Sequence, residues 1–282
     1  MDPSPLIRVD ELQRLLAGPQ VSRPVLLDVR YRMGSSTGSK EFEDAHIPRA
    51  SYVDMDTALA TIRASGVGGR HPMPTVETFT AAMRSAGVTA SRPVVAYDGW
   101  SSLPASRVWW MLRHLGFLNV RVLDGGIAAW TAAAQPTESG PSAQAAGDFT
   151  PSSPGVGLLL EAADARRYAE RHLLLDARPA DRFHGQNETI DPVAGHIPGA
   201  VSVPALSNVD LDGRFLPVDE LAARLRQLGA VDAESVGTYC GSGIQATHLA
   251  LALSVAGITD EADVYIGSWS DWITDPERPV EI

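Results

Sequence analysis

Four blocks of this 282-residue sequence occur twice in the same order. The matched pairs are "PVLLDVR" at 24–30 with "HLLLDAR" at 172–178, "EDAHIPRAS" at 43–51 with "VAGHIPGAVSVP" at 193–204, "RPVVAYDG" at 92–99 with "ESVGTYCG" at 234–241, and "VRVLDGGIAAW" at 120–130 with "ADVYIGSWSDW" at 262–272. An ordered internal repeat of this kind predicts two copies of one fold.

The two copies predict two α/β domains joined by a linker. An Ala-, Ser-, Pro- and Gly-rich segment without periodic pattern predicts a linker at 133–157, so we place the domains at 1–132 and 158–282. In each domain, apolar runs such as "VVAY" at 94–97 alternate with amphipathic helical patterns such as "VDELAARLRQLGA" at 218–230. This alternation predicts a mostly parallel sheet flanked by helices in each domain.

Composition and charge exclude several classes of function. The formal net charge of −11 argues against nucleic acid or an anionic membrane surface as a partner, although small anionic substrates remain possible. One cysteine with scattered histidines offers no zinc-ligand spacing, so we expect no metal site. No apolar run approaches the ~20 residues that span a bilayer. The N-terminal residues show no basic and hydrophobic leader pattern, and we expect a cytoplasmic protein.

The single cysteine, Cys240, follows a predicted strand and precedes a helix that we expect to begin near Ile244. Gly241 and Gly243 permit a tight loop whose N–H groups turn inward, and the helix adds its positive dipole end. Such surroundings stabilise a thiolate. The first copy has Asp98 at the equivalent place, and packing alone would not exchange a buried thiol for a carboxylate. We therefore predict a nucleophile in the second copy and an inactive loop in the first, the alternative being a small buried residue.

The neighbours of the cysteine separate the possible chemistries. A cysteine phosphatase closes its loop with an arginine five residues further on, where this chain has Ala246. A papain-like protease needs partnered histidine and asparagine residues on a different chain pattern, and a dithiol oxidoreductase usually needs a second cysteine. A loop of N–H groups around one thiol instead favours a covalent carrier of a small, electron-rich group such as a sulfane sulfur.

Several motifs together resemble the tandem-domain rhodanese-type sulfurtransferases, the family of thiosulfate and 3-mercaptopyruvate sulfurtransferases. They are "HIPRA", "HIPGA", "GRHPMP", "SRVWWMLRHLGF", "DARPADRFHG", "CGSGIQA" and "GSWSDW". The resemblance implies that the second domain is catalytic and the first is an inactive copy. It also implies that the cysteine takes sulfur from a small anionic donor as a persulfide, without a cofactor, and passes it to cyanide, a small thiol or thioredoxin.

The resemblance also assigns roles to individual residues. It implies three catalytic residues, namely Cys240 as nucleophile and Ser242 and His46 as members of a proton relay with an unassigned acid. It implies binding of the donor by the arginine of "ADRFHG" and by the loop, that is by Arg182, Gly241, Gly243, Ile244 and Gln245.

The loop resembles the mercaptopyruvate type, but the stretch before the second "HIP" turn departs from that type. The "CGSG" loop is similar to mercaptopyruvate-type members, whereas thiosulfate-type loops carry basic side chains after the cysteine. Mercaptopyruvate-type members also have a second arginine between the "RFxG" and "GHIPG" motifs, but here that stretch reads "QNETIDPVA", residues 186–194. The donor therefore stays open, as does a non-catalytic module that binds persulfide or senses sulfur.

Other notable residues have a structural interpretation. We expect His196 to bond loop backbone, and we expect Trp109 and Trp110 to pack in the core. The repeated Asp28–Arg30 and Asp176–Arg178 pairs predict a structural network at the ends of strands.

Overall fold

The computed structural model describes residues 4–61, 66–142, 144–152, 155–231 and 233–282. The chain forms two compact units. The first unit comprises Met1–Ala60, Pro74–Gly155 and Asp210–Phe215, and the second comprises Thr61–Met73, Val156–Val209 and Leu216–Ile282. Each unit thus includes a short segment from the other half of the sequence.

The first unit is a five-stranded parallel sheet with helices. Its elements in chain order are β1 (Leu6–Ile7), α1 (Val9–Ala17), β2 (Val25–Asp28), α2 (Gly38–Asp44), β3 (Ala50–Tyr52), α3 (Met55–Ala58), α4 (Val76–Ser85), β4 (Val94–Tyr97), α5 (Leu103–His114), β5 (Val120–Leu123) and α6 (Gly126–Ala132). The strand order is β1-β5-β4-β2-β3, and every pairing is parallel.

The second unit repeats this design with four parallel strands. Its elements are α7 (Ala162–Arg171), β6 (Leu173–Asp176), α8 (Ala180–Phe183), β7 (Val201–Ser202), α9 (Val218–Gln227), β8 (Val236–Tyr239), α10 (Ile244–Val255), β9 (Asp263–Val264) and α11 (Ser268–Trp272). The order is β7-β6-β8-β9. The predicted α/β architecture of two parallel sheets flanked by helices is confirmed.

Contacts place part of the predicted linker in the first unit. The first unit extends to Gly155, and Phe149, inside the predicted linker 133–157, is buried. Its ring lies edge-on to those of Phe79 and Phe117. A single aromatic anchor in an aperiodic segment has no helical or alternating signature, so the sequence pattern did not reveal this packing.

Two helices are buried on nearly all sides, as expected beside parallel sheets whose faces are both covered. Trp109 and Trp110 of α5 lie in the core, as predicted, and α10 is buried along almost its whole length. Among the described residues, no helix is both long and apolar enough to cross a membrane.

The predicted network at the strand ends is present in both units. Arg30 donates hydrogen bonds to both carboxylate oxygens of Asp28, and Arg178 does the same with Asp176. All four side chains are buried, and each arginine also donates to the carbonyl before a "HIP" turn, that of Ala45 or Gly195. The paired charges therefore fasten each turn to the end of the strand before it, β2 or β6.

Candidate active site

Cys240 lies directly after β8, where the chain turns into α10. Its side chain is buried, and the backbone N–H groups of Ser242 and Gly243 donate to Sγ over 3.4 and 3.1 Å. Gly243 has φ +84°, a left-handed conformation that glycine adopts readily. That conformation turns successive N–H groups toward one point and begins α10, so the loop forms an anion-binding nest at a helix N-terminus.

The first residues of α11 hold the nest from outside. The hydroxyl of Ser268 accepts a hydrogen bond from the Cys240 N–H at 3.0 Å and donates to the Tyr265 carbonyl at 2.8 Å. The N–H groups of Trp269 and Ser270 donate to the carbonyls of Cys240 and Gly241. Ser268 has φ +55°, which is uncommon for a residue with a side chain. The "GSWSDW" segment therefore fixes the position of the cysteine loop.

The first unit has a carboxylate at the equivalent place. One oxygen of Asp98, after β4, accepts from the N–H groups of Trp100 and Ser102 at 2.7 and 3.1 Å, and the other from Ala105 at 2.8 Å. Burial raises the pKa of Asp98 to about 6, although the three N–H groups oppose this shift. The same loop position thus holds an anionic carboxylate at neutral pH in one copy and a thiol in the other.

Arg182, predicted to bind the donor, lies beside the loop. Its guanidinium donates to both oxygens of Glu188 at 3.1 and 2.9 Å and to Asp191 at 2.8 Å. Burial raises the pKa of the Glu188 carboxyl, but hydrogen bonds from Arg182 and from backbone N–H groups outweigh it, so the pKa lies below its ordinary value. Glu188 therefore remains ionised and paired with the arginine.

Arg178 is fully buried and lies next to the Arg182–Glu188 pair. Its guanidinium lies 3.8 Å from Glu188, and its carbon Cζ lies 4.7 Å from the centroid of the Trp269 ring. Burial lowers the pKa of Arg178, but the Asp176 carboxylate outweighs burial and raises it above its usual range. A permanently charged arginine therefore links the end of β6 to the Trp269 ring, whose backbone N–H holds the cysteine loop.

Sequence reasoning missed Arg70, which belongs to the second unit. Its guanidinium pairs with Asp191, the same carboxylate that accepts from Arg182. A Cβ atom placed on Gly241 would lie 2.9 Å from Nη2 of Arg70 and 3.5 Å from Nη1 of Arg182. The "GRHPMP" motif contained Arg70, but its distance of 170 residues along the chain from Cys240 hid the contact.

The other predicted loop residues lie together around Cys240. Gly241, Ser242, Gly243 and Ile244 are buried, and Gln245 is partly exposed in the first turn of α10. Ser242 contributes its N–H group to the nest.

His46 has the contacts of a structural histidine within the first unit. Its ring stacks on Phe42 at 3.9 Å, and Nδ1 lies 2.7 Å from the Phe42 carbonyl. His196, predicted to bond loop backbone, has the same environment in the second unit: its ring stacks on Phe183 at 3.7 Å, with Nδ1 2.9 Å from the Phe183 carbonyl. These matched contacts give both histidines the same structural role, and the role of His46 in a proton relay stays a prediction.

Comparison with known proteins decides the family. A model of the rhodanese-like domain matches twice, at residues 8–133 and 159–275. The chain belongs to the rhodanese-like sulfurtransferases. The predicted resemblance is therefore confirmed, and both halves of the chain carry a copy of the rhodanese domain.

Named relatives cover nearly the whole of this rhodanese-like chain. It is 39% identical to the "Probable 3-mercaptopyruvate sulfurtransferase" of Pseudomonas aeruginosa, covering 99% of both chains. It is 31% identical to the thiosulfate/3-mercaptopyruvate sulfurtransferase 1 of Arabidopsis thaliana, covering 98% of this chain and 78% of the relative. The solved 3-mercaptopyruvate sulfurtransferase from Leishmania major superposes with a TM-score of 0.84 at 27% identity, covering 99% of this chain and 76% of that one.

Proposed function

We propose that this protein transfers a sulfane sulfur from a small anionic donor, 3-mercaptopyruvate or thiosulfate, to a thiol or cyanide through a persulfide on Cys240. The observation that carries the proposal is the convergence of the Ser242 and Gly243 N–H groups on the buried Sγ. Such a nest stabilises negative charge on sulfur, both in the attacking thiolate and in the persulfide. Relatives named for both donors support the same class of reaction.

In the first step the Cys240 thiolate attacks the sulfur of the donor. With 3-mercaptopyruvate, the S–S bond forms as the C–S bond breaks, and the electron pair leaves on carbon as the enolate of pyruvate, which takes up a proton. With thiosulfate, the sulfur–sulfur bond of the donor breaks, and its electron pair leaves with sulfite. In both cases Arg182, beside the loop, would attract the anionic group of the donor.

In the second step an acceptor attacks the outer sulfur of the persulfide. With cyanide, a C–S bond forms, the S–S bond breaks, and the electron pair returns to Cys240 as the thiolate while thiocyanate leaves. A thiol acceptor leaves as a persulfide in the same way. The N–H nest serves both steps because it holds an anionic sulfur before and after each transfer.

The nearest alternative is a module that captures sulfur without turning over. The Arg182 guanidinium beside the cysteine loop supports an enzyme, because it would attract the anionic remainder of a donor during transfer. Formation of many equivalents of thiocyanate per protein molecule in steady state would exclude the alternative.

The Cys240→Ser variant tests the proposal. We expect sulfur transfer from either donor to cyanide to fall more than about 10³-fold, because no other cysteine can replace the nucleophile. The free energy of unfolding should change by about 1 kcal/mol or less, since a hydroxyl can accept the same N–H groups. Thiocyanate formation and urea denaturation measure the two quantities, and a folded variant that retains turnover would refute the proposal.

A further inference from the structure

A cavity of about 600 Å³ opens in the first unit beside β3, the strand at the edge of its sheet. It lies between α2, β3, α3, α4 and the segment around Pro141 and Gln144. Sites for small molecules usually have volumes of about 300–1,000 Å³. All the lining residues belong to the first unit, so the sulfur chemistry proposed for Cys240 does not account for this cavity.

The lining of the cavity carries negative charge and no positive charge. Glu43 of α2 and Asp54, the N-cap of α3, supply two carboxylates, and no Lys, Arg or His is among the lining residues. The Glu43 side chain is exposed to solvent, whereas Asp54 is partly buried. Because two anions face the cavity without a cation beside them in the lining, the local field favours a positively charged ligand.

Several hydroxyl groups of the lining donate their protons within the protein. Oγ of Ser51 donates to the Ala86 carbonyl at 3.1 Å. Oγ1 of Thr57 and the hydroxyl of Tyr52 donate to the Asp54 carboxylate at 2.9 and 3.3 Å. Burial, together with the Asp54 carboxylate, raises the pKa of Tyr52 above its ordinary range, so this hydroxyl keeps its proton. These three oxygens can therefore offer only lone pairs to a ligand.

The amide of Gln144 is oriented in the same sense. Its Nε2 donates to the Arg49 carbonyl at 3.0 Å and to Oγ of Ser142 at 3.4 Å. Both amide hydrogens are thus used within the protein, and Oε1 stays available as an acceptor. A ligand in this cavity meets carboxylate, amide and hydroxyl oxygens, and it has to supply the hydrogen-bond donors itself.

The second copy of the fold shows that the two carboxylates are not needed to build it. Counted from the histidine of each "HIP" turn, Glu43 and Asp54 correspond to Val193 and Pro204. The strand pairing agrees with this alignment, because β3 pairs with β2 in the same register in which β7 pairs with β6. The carboxylates beside β3 are therefore specific to the first copy, and the architecture shared by the two copies does not explain them.

We propose that the first unit binds a small organic cation in this cavity, through a guanidinium or ammonium group that donates to the carboxylates of Asp54 and Glu43. Such a group carries the positive charge that the lining lacks, and it brings several N–H donors to the unused lone pairs. The site is independent of sulfur transfer, so Cys240→Ser should bind the cation as tightly as the parent protein does.

Three probes of similar size test the chemistry of the ligand: butylguanidine, butylammonium and neutral butylurea. Isothermal titration calorimetry in about 0.1 M salt screens general attraction to the net charge of the protein. We expect a saturable one-site isotherm with at least one of the two cations. Butylurea should bind at least about tenfold more weakly, because it lacks the charge and presents an oxygen to a lining of acceptors.

Charge-neutralising variants test the two carboxylates. Asp54→Asn keeps a good N-cap for α3 but removes the charge, so it should raise the Kd of the cation at least about tenfold. Glu43→Gln should raise the Kd about threefold, because this carboxylate is exposed and its charge is partly screened by solvent. The control Glu77→Gln removes an exposed acid of α4 outside the lining, and it should match the parent protein.

A filling variant tests the position of the ligand without changing any charge. Ala82 of α4 lines the cavity and is partly exposed. Ala82→Leu adds an isobutyl group there and keeps a strong helix former, so the midpoint of urea unfolding should stay close to that of the parent. We expect it to weaken cation binding as much as Asp54→Asn does, because it occupies the space of the ligand.

Three results would overturn the inference. The first is the absence of saturable binding by either cation up to about 10 mM. The second is binding of butylurea as tight as that of the cations. The third is equal affinity in the parent, Asp54→Asn and Ala82→Leu, which would indicate general attraction to the net charge of −11. None of these results bears on Cys240, whose role the Cys240→Ser variant tests by itself through thiocyanate formation.

Discussion

At the residue scale, the molecule contains its own comparison for Cys240, because Asp98 occupies the equivalent position in the other copy. Asp98 shows that the loop after the central strand holds an anion, because three N–H groups converge on its carboxylate. Cys240 replaces that anion with a thiol whose sulfur accepts from two N–H groups, which is the arrangement that the proposed persulfide requires. Both positions could be predicted from the aligned repeat. The arrangement of the N–H groups around each position could not be predicted, because it depends on left-handed loop residues such as Gly243.

The raised pKa of Asp98 predicts a particular pH dependence of stability. The folded-state pKa of about 6 lies above the ~3.9 of an unfolded aspartate. Between these values the folded state binds more protons, so raising the pH through this window destabilises it. Relative to Asp98→Asn, the free energy of unfolding of the parent should fall by up to about 3 kcal/mol from pH 4 to pH 6, and then level off.

Urea denaturation of both proteins at a series of pH values measures this difference, and comparing the two cancels the titration of all other groups. A difference that stays flat, or that rises with pH, would contradict the assignment of a raised pKa to Asp98.

At the element scale, the short "GSWSDW" helix region organises the site. Its residues accept from or donate to the cysteine loop, and they also bind the segment that carries Arg70. The sequence identified this motif as part of the repeat, and it predicted the strand before Cys240 and the helix after it. The sequence could not predict that this segment supports both the cysteine loop and the Arg70 segment, because such hydrogen bonds leave no periodic pattern.

Two glycines in the segment that carries Arg70 test the importance of its contact with the "GSWSDW" segment. Gly69 and Gly66 both have left-handed φ, +82° and +72°, so alanine is strained at either position. At Gly69 a Cβ would also lie 2.3 Å from the Gly267 carbonyl oxygen, whereas at Gly66 it would meet nothing within 4 Å. Gly66→Ala should therefore lower the free energy of unfolding by about 1 kcal/mol and Gly69→Ala by about 3 kcal/mol or more.

Gly69→Ala should also raise KM for the donor, because the overlap with Gly267 disturbs the neighbouring Ser268, which accepts from the Cys240 N–H, while Gly66→Ala should leave KM near its parent value. Chemical denaturation and donor titrations measure the two effects. Equal losses of stability in both variants would show that the close approach at Gly69 does not constrain the segment.

At the scale of the whole molecule, duplication has given one rhodanese-like fold two different sites. Glu41 precedes the Phe42 that stacks on His46, just as Arg182 precedes the Phe183 that stacks on His196. The copy with Asp98 thus has an acid, Glu41, where the other copy has Arg182. The repeat predicted both folds, but not that Thr61–Met73 belongs to the second unit, because that grouping depends on contacts distant in sequence.

Intact mass spectrometry of the protein after incubation with a donor tests the central claim most directly. The parent should gain the mass of one sulfur atom, localised to Cys240, and cyanide should remove it. Cys240→Ser should gain nothing, and neither should Cys240→Ser combined with Asp98→Cys, because the first copy has Glu41 in place of the arginine. A parent protein that turns over without ever carrying this sulfur, or a Cys240→Ser variant that acquires it, would contradict the persulfide account.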